Sequence, residues 1–362
     1  MRRTTTERQV AVKLREQPHP VQLAGGSYGP GRHHVRIPIT TDLAGNDVTL
    51  HAHLIVGARP GPTLTLTSTL HGIEWLSIEM IRRTVLALDH EQMTGSVLAL
   101  PVVNPPALGA LSRLTPGDSD FPDLNRIFPG KGTWMAELIA KTVVREVLPH
   151  TSALIDYHLG IWGSTFGYVV HGTDFPDPET NAASEAMALA FDLPLLGRQR
   201  IIADRPGTGS LVGYAGARHG IPSCIAELGG AGFGVDTEDA WIDACVDGVL
   251  NVMRRFVMLP GEPPPPRRRL VFETKDRVNP SYGGLFFPSH PDEHFGREVK
   301  KGEVLGTVVS PYTFEVLEEL KSPFDGYVAY YARWYPVQPG DWAFGIVPKD
   351  HPGTRWEVLP TS

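Results

Sequence analysis

The sequence predicts an α/β fold, a largely parallel or mixed β-sheet flanked by helices, followed by a small β-barrel-like domain. Two observations carry this. Up to about residue 260, short apolar runs bounded by turn residues alternate with stretches of helical periodicity, the pattern of strands and helices wound around one sheet. Beyond Pro263–Pro266 the helical periodicity stops, and residues 270–349 are rich in Gly, Pro, Val and aromatics.

In chain order, VTLHAHLIVG and PTLTLTSTL (residues 47–70) read as two strands separated by the turn signal ARPGP. From Ile73 to Leu88 the apolar residues Ile78, Ile81, Val85 and Leu88 share one helical face. GSVLALPVV (95–103) is a short apolar strand, and Met135, Leu138, Ile139, Val143 and Val147 stripe a helix over 133–148. TSALIDYH (151–158), FGYVVHG (166–172) and IPSCIAEL (221–228) are further strands. Residues 178–191 and 237–258 are helical, and SLVGYAGARHG (210–220) starts another helix. A proline run cannot continue a helix and forms a stiff spacer. The predicted division is therefore 1–262, a Pro/Arg linker at 263–269 with its three arginines solvated, and a β-domain at 270–362.

A length of 362 residues accommodates one large and one small domain. A net charge of −7 argues against a nucleic-acid partner, which calls for a basic surface. The N-terminus lacks the apolar run of a signal peptide, and no segment approaches the roughly twenty apolar residues that span a bilayer. Cys224 and Cys245 lie in apolar runs and read as buried free thiols, which fits a reducing compartment. The expectation is a soluble, cytoplasmic protein with no membrane partner.

Four motifs at strand ends carry chemistry. In His71-Gly72-Ile73-Glu74, a histidine ends a buried strand, a glycine permits a sharp turn, and a glutamate opens a helix. Imidazole and carboxylate three residues apart across such a turn can hold one zinc ion, although His-x-x-Glu alone also fits a helix start with a favourable acidic residue. In Asp156-Tyr157-His158, a third ligand, His158, leaves the fourth zinc position open, as catalysis requires. Asp156 points to the same face of its strand and can orient a ligand imidazole. Glu227, at the end of IPSCIA, is costly to bury unless it has a task, and a carboxylate beside an activated water can take its proton and pass it to a leaving amine. Arg113, Asn125 and Arg126 supply donors for a substrate carboxylate. Binding sites in open α/β sheets gather at the carboxyl ends of strands, so the order of these motifs counts for more than any one of them.

The ordered set HGIE, NPPA, DLNRIFPG, DYHLG and AELGG resembles the succinylglutamate desuccinylase and aspartoacylase family of the zinc carboxypeptidase superfamily, over most of residues 45–260. The resemblance implies a zinc-carboxypeptidase-like mixed sheet and one zinc per chain. It implies His71, Glu74 and His158 as ligands and Glu227 as general base and acid. It further implies Asn125 and Arg126 as substrate-carboxylate or oxyanion contacts, with Arg113 as a further contact. KKGEVLGTVV and LKSPFDGYVAYY are similar to a biotinyl/lipoyl-type barrel, which family members carry at the C-terminus.

The expected activity is hydrolysis of a small N-acyl amino acid or N-acyl amine, acetyl being the first choice of acyl group. A small-molecule N-acyl substrate is the expected partner, and family resemblance makes a homo-oligomer an expectation. Tyr214 and Arg218, just before the Glu227 strand, are added as pocket residues, and Trp75 and Trp162 as an aromatic lining. One rival is a zinc carboxypeptidase acting on peptides. Another, of a different class, is a binding module with a lipoyl-like tail, whose carrier lysine would be Lys321. His51 and His53 share one strand face without an evident third ligand and read as surface histidines.

Overall fold

The computed structural model describes residues 13–117, 122–161, 163–201, 209–265, 267–290 and 293–358. A small hairpin, β1 (Val21–Leu23) and β2 (Gly26–Tyr28), precedes the main sheet. Then come β3 (Gly31–Thr41), β4 (Asp47–Val56), β5 (Arg59–Thr67), α1 (Leu76–Ala87), β6 (Thr94–Leu100), α2 (Pro105–Gly109) and α3 (Met135–Thr142). They are followed by β7 (Ala153–Gly160), β8 (Ser164–Gly172), α4 (Pro178–Ala190), β9 (Leu195–Gln199), α5 (Leu211–His219), β10 (Ser223–Gly230) and α6 (Val235–Arg255).

The strand order β3-β4-β6-β5-β7-β10-β8 makes a mixed sheet. Its centre, β6-β5-β7-β10, is parallel, with antiparallel strands on both sides. Central strands buried on both faces explain the continuous apolar runs of β6, β7 and β8. Residues of α1, α4 and α6 pack in one apolar cluster, and residues of α3 and α5 in another across the sheet. Both cysteines are free and buried in the first cluster.

Two elements depart from the sequence pattern. β3 is an eleven-residue strand whose alternation is carried by Val35 and Ile37 alone, amid Arg32, His33, His34 and Arg36. Among the described residues it pairs only with β4, and such an edge tolerates polar residues. The helix expected over 133–148 ends as α3 at Thr142. The chain continues through a π-helical turn, Val143–Val147, and a 3-10 turn, Leu148–His150, since Pro149 lacks the N–H that another α-helical turn needs.

Beyond the prolines lie β11 (Arg268–Phe272), β12 (Asp276–Val278), β13 (Gly284–Pro288), β14 (Glu298–Val299), β15 (Val304–Val309), β16 (Val316–Lys321), β17 (Gly326–Ala332), β18 (Tyr335–Val337), β19 (Phe344–Pro348) and β20 (Arg355–Val358). One sheet, β16-β15-β13-β18, packs on a second containing β12-β19-β17-β14 around Phe286, Leu305, Val328 and Phe344. The second sheet joins the main one, because β17 pairs with Ser164–Phe166 of β8 while β9 takes Tyr168–Gly172 on the same edge. No described helix is long and apolar enough to cross a membrane.

The solvated reading of the three arginines fits Arg267 and Arg268 and fails at Arg269. Arg269 sits in β11, which pairs with β9, and its side chain is fully buried. It donates through Nη1 to the Leu189 carbonyl and through Nη2 to Asp192 Oδ1, both at 2.7 Å. A charge run in sequence does not show which member faces a buried carboxylate. Arg269→Ala is expected to lower unfolding stability in urea by about 3–5 kcal/mol, the cost of breaking a buried ion pair from one side. A loss below about 1 kcal/mol would mean that Arg267, 2.8 Å from the other Asp192 oxygen, compensates fully.

Candidate active site

The parallel strands β5 and β7 run side by side, with Thr67 in register with Asp156. The chain leaving β5 therefore passes directly over the end of β7. Thr69 adopts a left-handed φ of 55°, and its hydroxyl donates to the Pro101 carbonyl at 2.9 Å. Gly72 is required for close approach rather than for a left-handed turn, since a Cβ there would stand 2.0 Å from the Ala107 carbonyl oxygen. With the loop pressed against α2, His71 and Glu74 come to face His158.

The two imidazoles flank one carboxylate. Glu74 Oε1 lies 2.8 Å from His71 Nδ1, and Oε2 lies 2.9 Å from His158 Nδ1. The outer nitrogens are also held by carboxylates: His71 Nε2 by Asp123 Oδ1 at 2.9 Å and His158 Nε2 by Asp156 Oδ2 at 3.1 Å. Asp156 is fixed in turn by the Thr67 hydroxyl, which donates at 2.7 Å. All three central residues are nearly inaccessible. An ionised carboxylate only accepts, so each of these carboxylates favours the protonated form of the ring it faces.

The electrostatics agree. Burial opposes the positive charge on both rings, yet Glu74 with Asp123, and Glu74 with Asp156, outweigh it and raise both histidine pKa values, that of His158 strongly. Burial would likewise raise Glu74, but the two imidazolium rings hold it well below the carboxylate range. Among the described residues, His71, Glu74 and His158 form the one group of three or more such donors within 4.8 Å of one another. Two imidazole nitrogens and a carboxylate, with the far nitrogens fixed by acids, are a donor set suited to zinc.

Glu227 is the neighbour of His158 in the β10–β7 pairing. Its Oε2 is buried without a hydrogen-bond partner. Burial raises its pKa and Glu74 adds to the rise, while His158 and Lys275 pull it down. A carboxylate with a free oxygen at a cavity wall can accept a proton from a bound molecule.

The cavity beside these groups measures about 270 Å³ and is lined by all of His71, Glu74, His158, Glu227, Arg113, Asn125 and Arg126. Asn125 is tied down within the chain: its Nδ2 is 3.1 Å from His158 Nε2, and its Oδ1 accepts from the Leu211 backbone N–H at 2.9 Å. Arg113 Nη2 donates to Asp123 Oδ2 at 3.1 Å, and Nη1 is 3.6 Å from Glu74. Arg126 bonds the Asn125 carbonyl through Nη1 at 2.8 Å. Arg126 is exposed and is the better placed of the two for an incoming anion.

Three pocket residues expected from the sequence are not among the described residues that line the cavity. Tyr214 does not line the cavity. It lies a turn into α5, its ring centroid 5.5 Å from that of His219, while Ser210, the N-cap of that helix, lines the cavity instead. Arg218, further along α5, is not a lining residue either. Trp75 precedes α1, is 46 % exposed and is not a described lining residue. Trp162 lies outside the described residues, as does Gly207–Thr208 of the GTGSLVG run.

The aromatic wall pairs Phe166 of β8 with Trp342 of the C-terminal unit. Trp342 lines the cavity, with its ring 6.2 Å from Phe166 and the Arg277 guanidinium stacked 4.0 Å from its centroid. Nothing in local sequence marks Trp342, because its place depends on β17 docking along β8. Asp123 was visible inside DLNR, but its partner His71 lies 52 residues away. Lys321, the carrier candidate, ends β16 and pairs with Glu319 at 2.9 Å, while the tip before that strand carries aromatics instead.

Comparison with known proteins agrees with the motifs. Residues 60–255, more than half of the chain, match the model of the succinylglutamate desuccinylase/aspartoacylase catalytic domain. The N-alpha-acetyl-L-2,4-diaminobutyric acid deacetylase of Halomonas elongata is 26 % identical over 256 residues, covering 68 % of this chain and 72 % of that protein. The structure of a succinylglutamate desuccinylase/aspartoacylase from Rhodobacter sphaeroides superposes with a TM-score of 0.70 at 26 % identity, covering 89 % of this chain and 96 % of that one. The product-bound ectoine utilization protein EutE (DoeB) of Ruegeria pomeroyi gives a TM-score of 0.74 at 24 % identity, over 92 % and 100 % of the two chains, and shares the fold.

Proposed function

Because the chain belongs to the succinylglutamate desuccinylase/aspartoacylase family, we propose that it is a zinc-dependent hydrolase that removes a small acyl group from an N-acyl amino acid or related N-acyl amine. The observation that carries this reading is Glu74 held between His71 and His158, beside the unpartnered oxygen of Glu227.

His71, Glu74 and His158 would hold the ion, with Asp123 and Asp156 orienting the two rings. When bound, zinc supplies a water acidified toward a pKa of about 7 and an electrophile for the amide oxygen. Glu227 Oε2 takes a proton from the attacking water and returns it to the departing amine nitrogen, so its raised pKa suits both steps. Arg126 offers positive charge to the developing oxyanion or to a substrate carboxylate, and Asn125 keeps the loop that carries it in place.

A cavity of about 270 Å³, with Trp342 in its wall, favours a small acyl compound over the open groove a carboxypeptidase acting on peptides would need. The Halomonas relative acts on an acetylated diamino acid, so N-acetyl-2,4-diaminobutyrate heads the test panel. Zinc-loaded protein is expected to release amine from at least one acetylated amino acid in a fluorescent amine assay. Cleavage of C-terminal residues from peptides with no release from any N-acyl amino acid would replace this reading by the carboxypeptidase one. Inertness to both would remove the hydrolase reading.

A further inference from the structure

The strand face that carries His51 and His53 gains a third histidine when the chain folds. β3 and β4 run antiparallel, with His34 in register with His53 and Arg36 in register with His51. Side chains two apart on a strand, and those directly opposite on its neighbour, share one face of the sheet. His34, His51 and His53 therefore stand together and exposed, while Val35, Ala52 and Leu54 between them turn into the core. Seventeen residues separate His34 from His51, so no local motif announces the third member.

The rings are already gathered. His34 Nε2 lies 3.0 Å from His51 Nδ1, with the ring centroids 5.1 Å apart and the planes 11° from parallel. The His53 ring lies 5.7 Å from that of His34. Two nitrogens bound to one ion at about 2.0–2.1 Å stand roughly 3 Å apart, close to the His34–His51 separation. A neutral imidazole carries one proton, so a change of tautomer on the donor ring and a turn of both rings free the two nitrogens for an ion. The three donors do not all lie within 4.8 Å of one another as the buried set does. His53 closes on the pair by rotation about its side-chain bonds, which exposed residues make rapidly.

The charged neighbours have other partners. Arg32 donates to the Val85 carbonyl at 2.8 Å, Arg82 to Glu79 at 2.6 Å, and Arg36 lies 3.8 Å from Asp47. His33 is held at the Gly29 carbonyl, 2.8 Å away. Partial burial, then the charge His34 would carry, lower the pKa values of His51 and His53, with Arg36 adding at His51 and His51 adding at His53. Both rings are thus neutral at pH 7, the form that binds metal.

We propose that His34, His51 and His53 form a second metal site, which takes a divalent ion of the copper–zinc class and clips the edge strand β3 to β4. Imidazole suits these ions, whereas Mg²⁺ and Ca²⁺ take oxygen ligands. β4 stands three strand-to-strand steps from β7, so the site is separate from His158 and its partners. Three neutral, exposed ligands leave the charge of the ion uncompensated, so desalting removes it, while the buried set contains a carboxylate and retains its own.

The test is calorimetric titration of Zn²⁺ into zinc-loaded, desalted protein, for wild type and the single variants His34→Asn, His51→Asn and His53→Asn. Elemental analysis of the same desalted samples reports the catalytic donors separately. Wild type is expected to take one further zinc, and each variant to bind it at least about tenfold more weakly, since loss of even an outer partner costs a metal site that much. The added zinc should slow amide hydrogen exchange in β3 of wild type and not of the variants. Amide hydrolysis and circular dichroism should be unchanged, because none of the three histidines lines the cavity. No binding beyond the desalted content, or binding equally tight in all three variants, would overturn the proposal. Weakening in the His34 and His51 variants alone would overturn the three-histidine site, and unaltered exchange in β3 would overturn the clip.

Discussion

Replacing Glu227 with glutamine is expected to lower kcat by about 10²–10⁴-fold while leaving zinc content and KM nearly unchanged. The amide keeps the volume of the carboxylate and loses the ability to take a proton. Glu227 is not one of the three convergent donors, so a metal assay should not register the change. Fold should also survive, because Glu227 Oε2 has no partner whose bond would be lost. The pH profile gives a second reading. The base works only when ionised, so kcat/KM of wild type should fall as pH drops through the Glu227 pKa, and that limb should vanish in the variant. A variant that retains most of its kcat would remove Glu227 from the chemistry and turn attention to Asp123 as the acid nearest Arg113 and Arg126.

His158→Ala should abolish activity by a different route, through loss of the metal. Elemental analysis of wild type is expected to give about one zinc per chain, and of the variant close to none. The charges around the site add a pH signature. Without metal, the neighbouring carboxylates raise both histidine pKa values against the opposing effect of burial, that of His158 well above its ordinary value. Ligation requires each ring to give up the proton on Nδ1, so affinity should fall as pH drops, by roughly tenfold per pH unit for each proton displaced. Titration calorimetry in buffers of different ionisation enthalpy reads that proton count directly. Wild type without metal after zinc reconstitution, or zinc binding independent of pH, would rule out these ligands as the site.

Much of this site was legible in the sequence because the fold brings strand ends together. His71, His158 and Glu227 each follow an apolar run, and parallel neighbours in a sheet necessarily deliver their ends to one edge. The central sheet was legible for the same reason, since β5, β6, β7 and β10 are apolar enough to announce themselves. What escaped depended on contacts between distant segments. β3 carries two inward residues among cations, a pattern that looks like surface until β4 is beside it. Arg269 looked like its neighbours Arg267 and Arg268 until Asp192 was placed opposite. Tyr214 was placed in the pocket from its nearness in sequence, but one turn of α5 carries a side chain out of reach while Ser210 stays in. Trp342 required knowing how a second unit docks, which periodicity does not encode.

That docking changes how the chain can be divided. One edge of β8 is satisfied in two parts, by β17 along Ser164–Phe166 and by β9 along Tyr168–Gly172. Composition divides the molecule at the prolines, but the hydrogen-bond ladder runs across that division, and so does one apolar cluster that joins Phe166 and Tyr168 to Leu270 and Tyr330. A chain cut at residue 262 would lose Trp342 from its cavity and bare β8 along Ser164–Phe166 and β9 along Leu195–Gly197. Such an edge is a ready template for pairing with other chains. For anyone trimming, fusing or recombining this protein, the smallest unit that keeps every strand covered extends through β20.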